Sequence, residues 1–129
     1  MANLAKVEGV QKTIKRLRAI QKAQIKGVER GLVKAGLFLQ RESQKVCPVD
    51  TSALRNSART RKIGSGYKIQ VIVSYATAYA IHVHERTNIP HYNPPGAMAK
   101  YLEVPYRRNK RRLILIVKTE AQKSGVRAR

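Results

Sequence analysis

His82-Val83-His84-Glu85 is the densest grouping of metal-ligating side chains in the sequence. On a strand, the two histidines would stand on one face about 6–7 Å apart, close enough to share a zinc ion. The third ligand would be His91 or Glu85, and neither spacing matches a recognised zinc pattern. Structural or interfacial histidines account for the cluster better, and no metal is expected. Hydrolysis needs paired carboxylates, or a nucleophile with its base and orienter. The chain carries one aspartate, Asp50, and six glutamates. Glu8, Glu29, Glu42, Glu103 and Glu120 lie in segments of helical pattern, where they serve as charge partners; Glu42 and Lys45 have i,i+3 spacing. Ser43, Cys47 and the serines between 52 and 57 have no histidine near them in sequence, and no Gly-rich loop followed by lysine offers a phosphate cradle. The expectation is a protein without catalytic residues and without a cofactor.

The remaining chemistry is charge. Arg107, Arg108, Lys110, Arg111 and Arg112 form the densest basic run, and Arg55, Arg59, Arg61 and Lys62 form a second. Aromatic side chains are not interleaved with either group, so the stacking platforms of single-strand binders are missing. Contacts with nucleic acid are therefore expected at phosphates, without base readout. Across the chain 27 Lys and Arg face 7 Asp and Glu, a formal charge of +20. Such a charge repels itself in a compact body and calls for a polyanion or an acidic partner surface. An anionic membrane fits less well, because the amphipathic segments lack Trp and their apolar faces are needed for a core.

Those side chains need elements to position them. At 129 residues the chain fits one domain. Its 43% hydrophobic content with only 5% aromatics and no Trp predicts an aliphatic core. No run approaches the ~18 apolar residues of a membrane-spanning helix, and MANLAKVEGVQK lacks the apolar block of a signal peptide. The single Cys47 cannot form an internal disulfide. A soluble protein made in a reducing cytoplasm is expected.

Leu4, Val7, Val10, Ile14, Leu17 and Ile20 recur at helical spacing, predicting one amphipathic helix weakened by Gly9. A second, longer helix is expected from Lys22 to Val46, with Ile25, Val28, Leu32, Ala35, Leu39 and Val46 on one side. Lys22, Lys26, Arg30, Lys34, Arg41 and Lys45 lie on the other side, interrupted by Leu37 and flanked by Val33 and Phe38. Those three apolar residues point either to a second contact surface, such as a subunit interface, or to an ordinary charged face with strays.

Pro48 should stop that helix near Val46. Asp50 or Thr51 is then placed to cap a short turn over 52–57. Gly64-Ser65-Gly66 reads as a hairpin turn. Tyr67, Ile69, Val71, Val73 and Tyr75 alternate as a half-buried strand, and Tyr79, Ile81 and Val83 suggest another beside it. Residues 86–97 are rich in Pro and Asn and read as a long loop. Pro105 suits the first turn of a C-terminal helix through Lys123, and a basic tail that frays is expected from Ser124. The resulting plan is α+β in one domain: helices over 1–46, a capped corner at 47–57, a small antiparallel sheet at 58–85, the loop, a C-terminal helical part at 98–123 and the tail at 124–129.

Three stretches of this plan carry a family resemblance. Cys47–Ser57 (CPVDTSALRNS) resembles an "aPvDTGaLrnS" signature, Val73–Glu85 (VSYATAYAIHVHE) resembles a strand followed by "YAxyvHE", and Ala99–Pro105 (AKYLEVP) is similar to a closing "kfLxxP". All three belong to the lambdoid-type neck, tail-completion or head–tail joining proteins of tailed bacteriophages, also described as minor tail components. In this order and spacing they span Ala23 to Lys123. Ser52 stands where many relatives carry glycine, which argues against a left-handed backbone there.

The resemblance implies a structural virion protein that forms a ring, commonly a hexamer, between the head connector and the tail, around the channel that DNA traverses. Such a ring multiplies weak phosphate attraction without base contacts. Lys26, Arg30 and Lys34 compete with Arg107, Arg108, Arg111 and Arg112 as the set facing DNA, the other set meeting acidic partners. Val33, Leu37 and Phe38 would meet a neighbouring subunit, and Pro48, Asp50, Thr51 and Leu54 would form a structural corner. A tail terminator or minor capsid or tail protein is the alternative within this class. A free, non-specific nucleic-acid-binding protein is the alternative outside it.

Overall fold

The computed structural model describes residues 2–48, 52–77, 80–85 and 100–127, with backbone only at 2–8 and 81–83. The α+β plan holds. In chain order the elements are helix α1 (Ala2–Val46), a single turn α2 (Ala53–Asn56), strand β1 (Ala58–Ile63), a 3-10 turn (Gly66–Lys68), strand β2 (Gln70–Tyr75), a short helix α3 (Ala80–Glu85) and helix α4 (Glu103–Arg127). Asp50 and Thr51, the expected caps, the loop at 86–97 and His91 lie outside the described residues.

α1 is one helix of 45 residues, not two. The expected break near Ile20 has no physical cause: Ala19, Ile20, Gln21 and Lys22 all tolerate helix, and one Gly9 costs only ~1 kcal/mol. Its end is where Pro48 places it. Near that end Lys45 donates to Glu42 across 2.8 Å, the i,i+3 pair read from the sequence.

β1 and β2 form a two-stranded antiparallel sheet, Ala58 opposite Tyr75 and Ile63 opposite Gln70. β2 begins at Gln70 and not at Tyr67, which sits exposed in the 3-10 turn; within β2 the expected alternation holds at Val71 and Val73, turned inward, and at Gln70, exposed. Its inner face lies so close to α1 that a Cβ on Gly36 would fall 2.7 Å from both Thr60 Cγ2 and Val71 Cγ1. Thr60 also donates its hydroxyl to Gln40 Oε1 at 2.6 Å.

The second predicted strand, read from Tyr79, Ile81 and Val83, is instead helix α3 from Ala80 onward. Six residues of alternation cannot separate strand from a short helix, and local bonds decide for helix: the Ala80 amide donates to the Thr77 carbonyl at 3.2 Å. The expected tail from Ser124 is also helical. α4 continues to Arg127, with Ser124 and Gly125 buried against α1. A third difference falls at Ser52, whose φ of 67° is left-handed. The corner needs that turn of the chain, and the Ser52 carbonyl accepts from the Asn56 amide at 2.9 Å to close α2.

α1 and α4 run antiparallel with their backbones nearly touching. A Cβ on Gly31 would lie 2.7 Å from Val117 Cα, and one on Gly27 would lie 2.6 Å from the Glu120 carbonyl oxygen. Small residues one helical turn apart allow such an approach because no side chain separates the two helices. A buried cluster forms elsewhere, where Cys47, Leu54, Ala80 and Tyr101 come together with Val46, Tyr75 and Leu102 packed on them.

Candidate functional site

The three motif stretches meet in that cluster. Cys47 and Leu54 come from the first, Tyr75, Ala80 and His84 from the second, Tyr101 and Leu102 from the third. Tyr101 is the hub. Its ring meets Tyr75 edge-on at 4.9 Å and His84 at 5.1 Å, and its hydroxyl donates to the Ala80 carbonyl at 2.7 Å. Tyr75 in turn pairs with the Ser43 hydroxyl of α1 at 2.7 Å. Burial raises the Cys47 thiol to about 11 and pushes the Tyr75 hydroxyl up as well, so both stay neutral at pH 7. A buried, protonated thiol is a packing group and a poor nucleophile.

His84 also sits in a structural web. Its Nδ1 is 3.0 Å from Glu85 Oε1, and its Nε2 accepts from the Glu103 amide at 3.4 Å, an arrangement that puts the hydrogen on Nδ1. Lys100 holds the Glu85 carboxylate, and this hydrogen bond keeps Glu85 below the usual carboxylate range and Lys100 above its own. The Lys100 amide donates to the His84 carbonyl at 2.6 Å. Strand geometry at 82–84, on which sharing a metal depended, is absent. Among the described residues no group of three or more His, Cys, Asp or Glu could hold a metal ion.

The basic residues assemble on the α1–α4 seam. Lys34 donates to Glu120 across 2.6 Å, and that bond lowers the Glu120 pKa. Arg30 donates to the Ser124 hydroxyl, while Lys26 is exposed. Arg107 pairs with Glu103 at 2.6 Å, and Arg108, Arg111 and Arg112 are exposed. Lys34, Arg111 and Arg112 line one cleft with Leu115, Ile116, Thr119 and Glu120. Lys34 of the first basic set and Arg111 and Arg112 of the second thus share one cleft. Arg112 further covers the Phe38 ring, 4.9 Å from its centre, which accounts for Phe38 within the chain. Val33 is half-buried, and Leu37 remains 48% exposed. Pro48 is half-buried and Leu54 buried at the corner.

An apolar groove was not legible in the sequence. It opens between α1, β2 and α4, has a volume of about 590 Å³, and is walled by Val28, Leu32, Val71, Val73, Tyr106 and Ile114. Tyr106 and Ile114 are 46% and 58% exposed. The strip Gly27, Gly31 and Ala35, at i,i+4 spacing in a helix, was the available signal that another helix packs closely there. Among the described residues no helix is long and apolar enough to cross a membrane. No protein-family model, no curated protein and no solved structure matches this chain.

Proposed function

We propose that this chain is a ring-forming subunit of the neck of a tailed bacteriophage, joining the head connector to the tail around the DNA channel. The observation that carries this reading is the convergence of three separate motif stretches on one hub, Tyr101. Residues scattered from Cys47 to Leu102 serve one packing purpose, as expected when a family resemblance resides in the fold and not in a catalytic site. Virion location and a cytoplasmic origin follow from the same reading.

The basic face supports it on physical grounds. Arg111 and Arg112 are exposed beside Lys34, and Arg108 is exposed on the same helix; copies of such a face around a lumen attract phosphate without reading bases. In this reading that face lines the channel. Particles assembled without the chain test the function: unjoined heads and tails are expected, and infectious particles would refute it. A tail-terminator position would place the ring further along the tail.

The same exposed arginines also favour a second reading, a free non-specific nucleic-acid-binding protein. That protein would bind duplex DNA as a monomer or dimer, with affinity falling steeply as salt rises. Native mass spectrometry separates the two by showing either a closed ring or a small species.

A further inference from the structure

α1 outruns the body that it supports. The far end of α4 reaches it at Gln24, whose Cγ would lie 2.9 Å from a Cβ on Gly125. The hairpin tip reaches it at Gln21, which donates to the Tyr67 hydroxyl at 2.5 Å. Ahead of Gln21 the helix continues to Ala2, roughly 28 Å of arm at 1.5 Å per residue. Every side chain from 9 to 19 is exposed.

The arm is nevertheless amphipathic. Val10, Ile14 and Leu17 are 58%, 40% and 60% exposed on one stripe. Residues 18 apart in a helix are in phase after about five turns, so this stripe repeats Val28, Leu32 and Ala35 of the same helix. Those later residues line the α1 side of the groove that opens toward β2 and α4. The arm thus presents to solvent the continuation of that α1 wall. Among the described residues the hairpin tip and α4 meet α1 no nearer its start than Gln21 and Gln24, and none covers the stripe.

We propose that this stripe docks in the open groove of a second copy, against Val28, Leu32, Val71, Val73, Tyr106 and Ile114. One contact then covers both exposed apolar surfaces. Charge favours the groove over a second arm. Lys12, Lys15, Arg16 and Arg18 flank the stripe, and pairing two arms would set eight cations side by side. Of the described residues that line the groove, Lys118 alone is charged. Because the two surfaces differ, the contact is head-to-tail and repeats from copy to copy, which closes a ring when the rotation permits. The inference rests on the ring reading above and names its interface.

The test uses the full chain with Cys47 left in place, since its buried thiol does not compete at neutral pH. Leu17→Cys and Ile114→Cys proteins, one of them mass-tagged, are mixed and mildly oxidised. A disulfide between unlike chains is expected, with a ladder from the double variant. A Leu17→Cys protein that links mainly to itself shows arm pairing and overturns the proposal, as does a mixture that fails to link. Leu17→Asp changes an exposed site, so its circular dichroism should match the wild type. Its assembly concentration should rise roughly a hundredfold, as expected from losing one buried leucine. A Leu17→Asp ring as stable as the wild type overturns the arm contact but leaves the ring reading intact. A wild-type chain that stays a monomer at all concentrations overturns both.

Discussion

Tyr101 donates its hydroxyl hydrogen to the main-chain carbonyl of Ala80, 2.7 Å away, inside a cluster where Tyr101 itself is only 1% exposed. This bond ties the segment before α4 to the first turn of α3. Tyr101→Phe keeps the ring contacts with Tyr75 and His84 but leaves the Ala80 carbonyl without that partner. The expected loss is about 1–3 kcal/mol, read as a lower denaturant midpoint with an unchanged slope. A midpoint equal to the wild type would remove Tyr101 as the hub.

Gly31 is predicted to resist the usual helix improvement. Alanine is favoured over glycine by ~1 kcal/mol in a helix, yet a Cβ at Gly31 would stand 2.7 Å from Val117 Cα. Backbone cannot swing aside as a side-chain tip can, so Gly31→Ala should push the helices apart and destabilise by roughly 1–3 kcal/mol. Thermal unfolding measures it. Gly9→Ala is the control, with nothing within 4 Å of its Cβ, and should be neutral or stabilising. A stabilised Gly31→Ala would mean that α1 and α4 do not meet so closely.

Ser52 gives the opposite expectation. Its φ of 67° costs an L-residue roughly 1–2 kcal/mol, which glycine avoids. Glycine also has more freedom to lose on folding, so Ser52→Gly should gain up to about 1 kcal/mol. A calorimetric midpoint that falls on this substitution would rule out the left-handed corner.

The Lys34–Glu120 contact carries a pH dependence. Its hydrogen bond from Lys34 holds the Glu120 pKa below the ordinary value, which is about 4.3 for an unfolded chain. A carboxylate depressed in the folded state contributes stability that is complete above the unfolded pKa and is lost as pH falls through the folded one. Glu120→Gln should therefore flatten the acid limb of the stability curve below about pH 4.3 and leave its slope near pH 7 unchanged. An acid limb identical to the wild type would show that the contact is not kept in solution.

Much of this architecture was legible in the residues. Pro48 marks the end of α1, Val71 and Val73 mark β2, and Pro105 falls in the first turn of α4, each through a local backbone or alternation effect. What escaped depended on distance. Ser124 and Gly125 look like a fraying tail until α1 supplies the partner that buries them. Ala80–Glu85 alternates like a strand, but a carbonyl at Thr77 and a hydroxyl from Tyr101 hold it as helix. Ser52 adopts a backbone that its own side chain disfavours, because the corner demands it. The basic face illustrates the same limit: Lys34 and Arg112 are far apart in sequence, and only the antiparallel seam brings them to one cleft.

The most direct measurement is a reconstruction of the intact virion at a resolution that traces this chain. The account predicts a single ring of it between head connector and tail, with Arg108, Arg111 and Arg112 turned toward the DNA channel. Finding the chain absent from the particle, or present outside the head–tail axis, would contradict it.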